Sequence, residues 1–408
     1  MIHLHFNPLY IDPGTGSMLF SILIGAAATL YFLLRAVIIK VKVFFSGGRA
    51  AVSNTLYPYV IYSEGKQYWN VFKPVVEEFE TRQQELLYLT SSEDDPVFEN
   101  TYHFIKSEFI GEGNKAYARL NIISANFVLM TTPSLNVYQL KRSKSVNHYS
   151  HVLHMPSDAT TYRLFGLDYF DSVLLTGDYQ AKDIRILEKQ RSLPEKQLIT
   201  VGCTYLDVYA EKIKQLPIED THPFTVLVSP SWGASGLLKH YGERLLDPLA
   251  ESGWRIIVRP HPQSKKSEAD MLETLAKRYS TNPNVQWDYE RENIYSLSRA
   301  DIMISDFSGI IFDFMFLCDK PVIYVSQDMD LRPYDADDVP DELWQFRILR
   351  EIGIELKEEQ FKTMAEVIKN ASKSTLLQNA RLDAKNTAWQ YRGEAGKRIA
   401  DFMTKTVK

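Results

Sequence analysis

Ser305 to Val325, SDFSGIIFDFMFLCDKPVIYV, is the stretch that narrows the choice of fold furthest. An apolar run, ADIMI, precedes a polar turn (Ser305-Asp306-Phe307-Ser308-Gly309), the apolar stretch IIFDFMFL, Lys320-Pro321 and a second apolar run, VIYV. That order predicts a strand, a turn, a helix and a second strand, the repeating unit of an open parallel sheet. In such sheets ligands bind beyond the carboxyl ends of the strands, where helix N-termini present free N–H groups. A turn with three oxygen-bearing side chains and a glycine suits a pyrophosphate there, although Ser and Asp also serve simply as helix caps. Asp313 tips the balance, because a carboxylate inside an apolar helix is costly unless it is paired.

The rest of the chain repeats this alternation. YPYVIY, ELLYLT, ARLNIISANFVLM, SHVLHMP and SVLLTGDY read as β-rich runs separated by helical patterns. After the Pro- and charge-rich linker PIEDTHPF come TVLVSPSW, the helical LLKHYGERLLDPLAES, WRIIVRPHP, KKSEADMLETLAKRY and NVQWD. At 408 residues, 45% hydrophobic and 24% charged, the chain has the length and balance of two α/β domains. Its net charge of -5 argues against a general nucleic-acid binder. The only cysteines, Cys203 and Cys318, lie in apolar surroundings and make neither a disulfide framework nor a metal cluster.

Met18 to Leu34 carries no charge, and the apolar character resumes after Arg35 until Lys40 and Lys42. This is near the ~20 residues a membrane helix needs. Met1 to Ser17 has no Lys or Arg, unlike a signal peptide. Arg35, Lys40, Lys42 and Arg49 follow the span, so the N-terminus is expected outside and the large domain in the cytoplasm, on a single-pass inner-membrane protein.

Arg259 and His261 sit in an RPHP run at the end of the strand IIV, stiffened by two prolines and able to hold phosphate oxygens. His154 ends another strand and is a candidate base for an acceptor hydroxyl. His148, His151 and His154 do not share one face, so no metal is expected. The acidic loops Ser92 to Asp95 and Asp335 to Asp338 read as solvated loops. No GxGxxG, Walker A or GxSxG motif is present.

Taken together, Arg259-Pro260-His261-Pro262, the turn Ser305 to Gly309, Asp313 and Lys320-Pro321-Val322-Ile323 resemble the signature of the CDP-glycerol glycerophosphotransferases, which build teichoic-acid-like polymers. Gly202 to Asp207 resembles the family's Gly-x-Pro-Arg-x-Asp run, and His154 with Gly166-Leu167-Asp168 resembles its first-domain His-Gly-Thr segment. Departures are Met155-Pro156 for Gly-Thr, Cys203-Thr204-Tyr205 for x-Pro-Arg, and Gly309 for a second Ser.

The resemblance implies an α/β, GT-B-like pair of Rossmann-like domains facing a cleft, here preceded by the transmembrane helix. It further implies catalytic roles for His154 and His261, and donor binding by Arg259, Ser305, Asp306, Ser308, Gly309 and Asp313, with no metal or cofactor. The expected organisation is a short extracytoplasmic terminus (1–17), a transmembrane helix (18–40), an acceptor domain (50–215), a donor-binding domain (222–375) and C-terminal helices packing back across both (376–408). The expected partners are CDP-glycerol or a related CDP-polyol, a lipid-linked or glycan acceptor, and the membrane. A glycosyltransferase using a nucleotide sugar and a non-catalytic membrane-anchored scaffold are the alternatives on the same fold.

Overall fold

The computed structural model describes residues 55–217 and 222–407, together with Ile24, Thr29, Leu30, Tyr31 and Leu34. Those five are helical, have exposed side chains and belong to a separate compact unit, 1–54. The expected extracytoplasmic terminus and most of the expected membrane helix lie outside the described residues. Among the described residues no helix is long and apolar enough to cross a membrane.

The larger unit holds two sheets. In the first, β1 (Tyr57–Ser63), β2 (Leu86–Thr90), β3 (Ile105–Phe109), β4 (Ala125–Met130), β5 (Val146–Val152), β6 (Ser172–Leu175) and β7 (Gln197–Thr200) lie in the order β3-β2-β1-β4-β5-β6-β7. The second has the order β10-β9-β8-β11-β12-β13, from β8 (Thr225–Val228), β9 (Arg255–Val258), β10 (Val285–Trp287), β11 (Ile302–Ser305), β12 (Val322–Tyr324) and β13 (Ile354–Glu355). Every pairing is parallel. The central strands are continuous apolar runs because helices cover both of their faces. In each sheet the winding reverses direction, at β1/β4 and at β8/β11, which opens a crevice beyond the strand ends.

The last two helices cross between the halves. Gln378–Ala388 adds Ala384 and Ala388 to the core around Phe312 and Phe316 of the second half. Ala395–Val407 returns to the first half, where Ile399, Ala400 and Met403 pack with Phe72, Val76 and Phe79 of the helix Trp69–Thr81. A Cβ on Gly396 would come within 2.6 Å of Pro74 Cβ, so this close helix contact requires glycine. The segment 333–345 binds the halves together elsewhere. Asp335 accepts from the N–H groups of Phe165 (2.7 Å) and Gly166 (3.0 Å) and pairs with Arg191, while Asp158 accepts from Trp344 N (3.0 Å) and Gln345 N (2.8 Å).

Three local readings are corrected. Ala118 to Leu120 of the run ARLNIISANFVLM belong to the helix Asn114–Leu120, and the strand starts only at Ala125. LLKHYGERLLDPLAES is two helices, split at Gly242, whose φ of 48° lies in the left-handed region. Asp335 is no solvated loop residue: it is 1% exposed and fully bonded between the halves. The edge strands β3 and β13 carry no alternating apolar signal and are visible only through their pairing.

Candidate active site

His154 lies two residues past β5, and its Nδ1 is 2.7 Å from Oγ1 of Thr131, which follows β4. Tyr162 Oη is 3.5 Å from the same nitrogen, and Tyr68 packs edge-on at 5.3 Å. Burial lowers the pKa of His154 to about 4, so the ring is neutral at physiological pH. In the tautomer in which Nδ1 donates to the Thr131 hydroxyl, Nε2 is the nitrogen that accepts a proton. His151, inside β5 itself, is a different residue chemically. It is fully buried, bonds Tyr162 Oη at 3.0 Å, and burial drives its pKa to about 3. His148 bonds Ser172 and stacks on Phe127.

In the second half, His261 Nδ1 accepts the N–H of Gln263 at 3.1 Å. Burial lowers its pKa against the opposing pull of Glu268. A neutral ring whose Nδ1 accepts must carry its proton on Nε2, so His261 offers a hydrogen-bond donor where His154 offers an acceptor. Trp232, in the glycine-rich turn after β8, lies 6.2 Å from the His261 ring and is 42% exposed.

The turn Ser305 to Gly309 divides its labour. Ser305 is fully buried and its hydroxyl donates to the Ser229 carbonyl at 2.6 Å. Asp306 is also buried, and accepts from Ser231 N (2.9 Å), Ser231 Oγ (2.9 Å), Leu237 N (3.0 Å) and Ser308 N (3.1 Å). Desolvation raises its pKa, and these bonds oppose the rise. Asp306 thus ties the turn after β8 to the turn after β11. Among the described residues, the Ser308 hydroxyl and the N–H groups of Gly309 and Ile310 make no such bond, so the start of the helix Ile310–Cys318 keeps donors for an anion.

Asp313 is paired after all. Its Oδ2 accepts from Tyr205 Oη (3.2 Å), on the first-half helix Thr204–Lys214, and from Asn293 Nδ2 (3.3 Å). Burial raises its pKa to about 7, although both bonds oppose the rise. Arg259 is placed otherwise than its motif suggests. The side chain is buried, Nη1 pairs with Asp288, and Nη2 donates to the Glu290 carbonyl at 2.7 Å. Through Nη1 and Nη2 its guanidinium braces the loop after β10.

The two halves bring His154 and the Ser305 turn together: a Cβ placed on Gly309 would lie 3.3 Å from Cε of Met155. Cys203 Sγ also lies 3.9 Å from the His154 carbonyl. Beside His154 is a cavity of about 140 Å³ lined by Met155, Ser157, Asp158, Thr161 and Tyr162 among others. Thr131, Trp232 and Asn293 carry no motif, and sequence reasoning missed them. An exposed Trp in the Gly-rich stretch SPSWGASG was the one available signal.

Residues 179–388, just over half of the chain, match the family described as CDP-Glycerol:Poly(glycerophosphate) glycerophosphotransferase. No curated protein matches the chain. Among solved structures, the wall teichoic acid polymerase TagF is 15% identical at a TM-score of 0.55, with 86% of this chain and 88% of that one covered. The UDP-GlcNAc 2-epimerase of Methanocaldococcus jannaschii, in complex with UDP-GlcNAc and UDP, is 12% identical at 0.57, covering 86% and 100%. That of Neisseria meningitidis is 14% identical at 0.52, with the same coverage. At these identities the likeness shows the fold, a GT-B-like pair of parallel α/β sheets.

Proposed function

Because the chain belongs to the CDP-glycerol:poly(glycerophosphate) glycerophosphotransferase family, we propose that it moves a glycerophosphate unit from CDP-glycerol to a lipid-linked or glycan acceptor in cell-envelope polymer synthesis. An acceptor hydroxyl oxygen attacks the β-phosphorus, and His154 Nε2 takes its proton. The bond from the β-phosphorus to the bridging oxygen breaks, and CMP leaves with the electron pair. Such a transfer needs little from the protein beyond positioning, a base and stabilised phosphoryl charge. His261 Nε2, Ser308 Oγ and the N–H groups of Gly309 and Ile310 supply the last of these. Ser305, Asp306 and Asp313 hold that turn in shape rather than touching the donor.

One observation carries the reading: Met155, next to the neutral His154, meets Gly309, the cap of the helix with free donors. A base and an anion cradle from different halves therefore share one cleft. Membrane anchoring through residues 18–40, with the catalytic part in the cytoplasm, belongs to the same proposal. It is supported by the charge-free run Met18 to Leu34 and the cations after it, and it would keep the site near a lipid-linked acceptor.

The test is to incubate the full chain in detergent with CDP-glycerol and a membrane lipid extract and to quantify released nucleotide. CMP release that depends on lipid and is lost in His154→Ala and His261→Ala is the expected result. Release of a nucleoside diphosphate from a nucleotide sugar would instead make it a sugar transferase. Donor binding without turnover on any CDP-polyol would make it a scaffold.

A further inference from the structure

Gly309 has φ -59° and ψ -20°, a backbone conformation open to any residue. What its missing side chain provides is room: a Cβ there would stand 3.3 Å from Met155 Cε and 3.8 Å from its Sδ. Met155 is 42% exposed, and it lines the small cavity beside His154. A flexible apolar thioether thus bridges the space between the base and the start of the helix Ile310–Cys318, where the reacting groups would meet.

We propose that Met155, packed beside the space left by Gly309, suppresses hydrolysis of the donor in this enzyme, where the pair stands in place of the family's Gly and Ser. The inference rests on the reading given under Proposed function. Water competes with the acceptor for the same reaction: its oxygen would bond to the β-phosphorus, its proton would pass to His154 Nε2, and CMP would leave with the bridging oxygen's electron pair. The products would be CMP and free glycerol phosphate. A methionine over that approach offers water no hydrogen-bonding partner. Its three rotatable bonds let it move aside for an acceptor chain that brings binding energy of its own. Gly309 is the complementary half of the device, since a Cβ there already crowds the thioether tip at 3.3 Å and a longer side chain would displace it.

The experiment measures the fraction of released CMP that appears as free glycerol phosphate, with the full chain, CDP-glycerol and lipid extract. Met155→Gly is expected to raise that fraction about tenfold, the lower end of what one small apolar contact contributes to discrimination. Met155→Gln, which keeps the length but adds hydrogen-bonding groups, should raise it as well, and Gly309→Leu should raise it by displacing Met155. An active wild type whose partition is unchanged in all three variants overturns this proposal alone. A wild type that releases no CMP with any acceptor overturns the transferase reading, and this proposal with it.

Discussion

Thr131 Oγ1 lies 2.7 Å from His154 Nδ1, a bond between the residues that follow two neighbouring strands of the first sheet. It engages Nδ1 and leaves Nε2 free of this bond. Thr131→Val keeps the shape and removes the bond, so kcat should fall on the order of tenfold, a part of what a general base contributes. The KM for donor should stay nearly constant, and Thr131→Ser should restore the rate. Steady-state kinetics with a KM change and no kcat change would remove Thr131 from this role.

Burial places the His154 pKa at about 4, below its ordinary 6.5. A base works when neutral, so kcat/KM should show no loss attributable to this group from pH 7 down to about 5, and an acid limb near pH 4. The unfolded chain binds the proton first between those pKa values, so stability drops as pH falls through that window. The shift of about 2.5 units corresponds to on the order of 3 kcal/mol. An acid limb near 6.5 in a pH-rate profile would contradict the buried, neutral base.

Asp313 shifts the other way, to about 7 from 3.8, chiefly through desolvation. Here the folded state binds the proton first, so stability is lost as pH rises from 3.8 through about 7. Asp313→Asn keeps an acceptor for Tyr205 Oη and Asn293 Nδ2 and cannot ionise. Its thermal midpoint relative to wild type should therefore rise between pH 5.5 and 8, by the equivalent of on the order of 2 kcal/mol. A difference that does not vary with pH would mean that the carboxyl is ionised throughout.

Much of this architecture was legible in the sequence because parallel strands buried on both faces leave unbroken apolar runs, as in VIY, FVLM and IMI. The turn Ser305 to Gly309 and His154 were legible as strand-end chemistry. What could not be read was which turn residue faces outward, since Ser305 and Ser308 are the same residue type and differ only in their neighbours. Nor could a linear reading see that two departures from the family pattern, Met155 and Gly309, face each other, so that a side chain on Gly309 would meet Met155. Tyr205, a third departure, became intelligible only beside Asp313, 108 positions away.

The two serines separate structure from binding. Ser305→Ala strands the buried Ser229 carbonyl and should cost about 1–3 kcal/mol of stability. Ser308→Ala removes a hydroxyl without a partner among the described residues, so the thermal midpoint should hold while donor Kd rises, about tenfold for a bond to a charged phosphate. Calorimetric titration with CDP-glycerol and thermal unfolding read both. The opposite pattern would reverse the assignment of the two hydroxyls.

Arg259 provides the sharpest separation of motif from geometry. Its side chain is 8% exposed and that of Asp288 14%, and Asp288 is held further by Ser296 Oγ and the Glu290 N–H. The two carboxylate-loop contacts need two guanidinium nitrogens in a fixed fork, which a lysine cannot reproduce. Arg259→Lys should therefore destabilise by about 1–2 kcal/mol through lost hydrogen bonds. Arg259→Ala should cost ~3 kcal/mol or more, because it leaves the largely buried Asp288 carboxylate without its cationic partner. Donor Kd in Arg259→Lys should stay within about twofold of wild type, since on this geometry no phosphate contact is removed. A Kd at least tenfold weaker at unchanged stability would show that the guanidinium leaves Asp288 for the donor diphosphate when substrate binds.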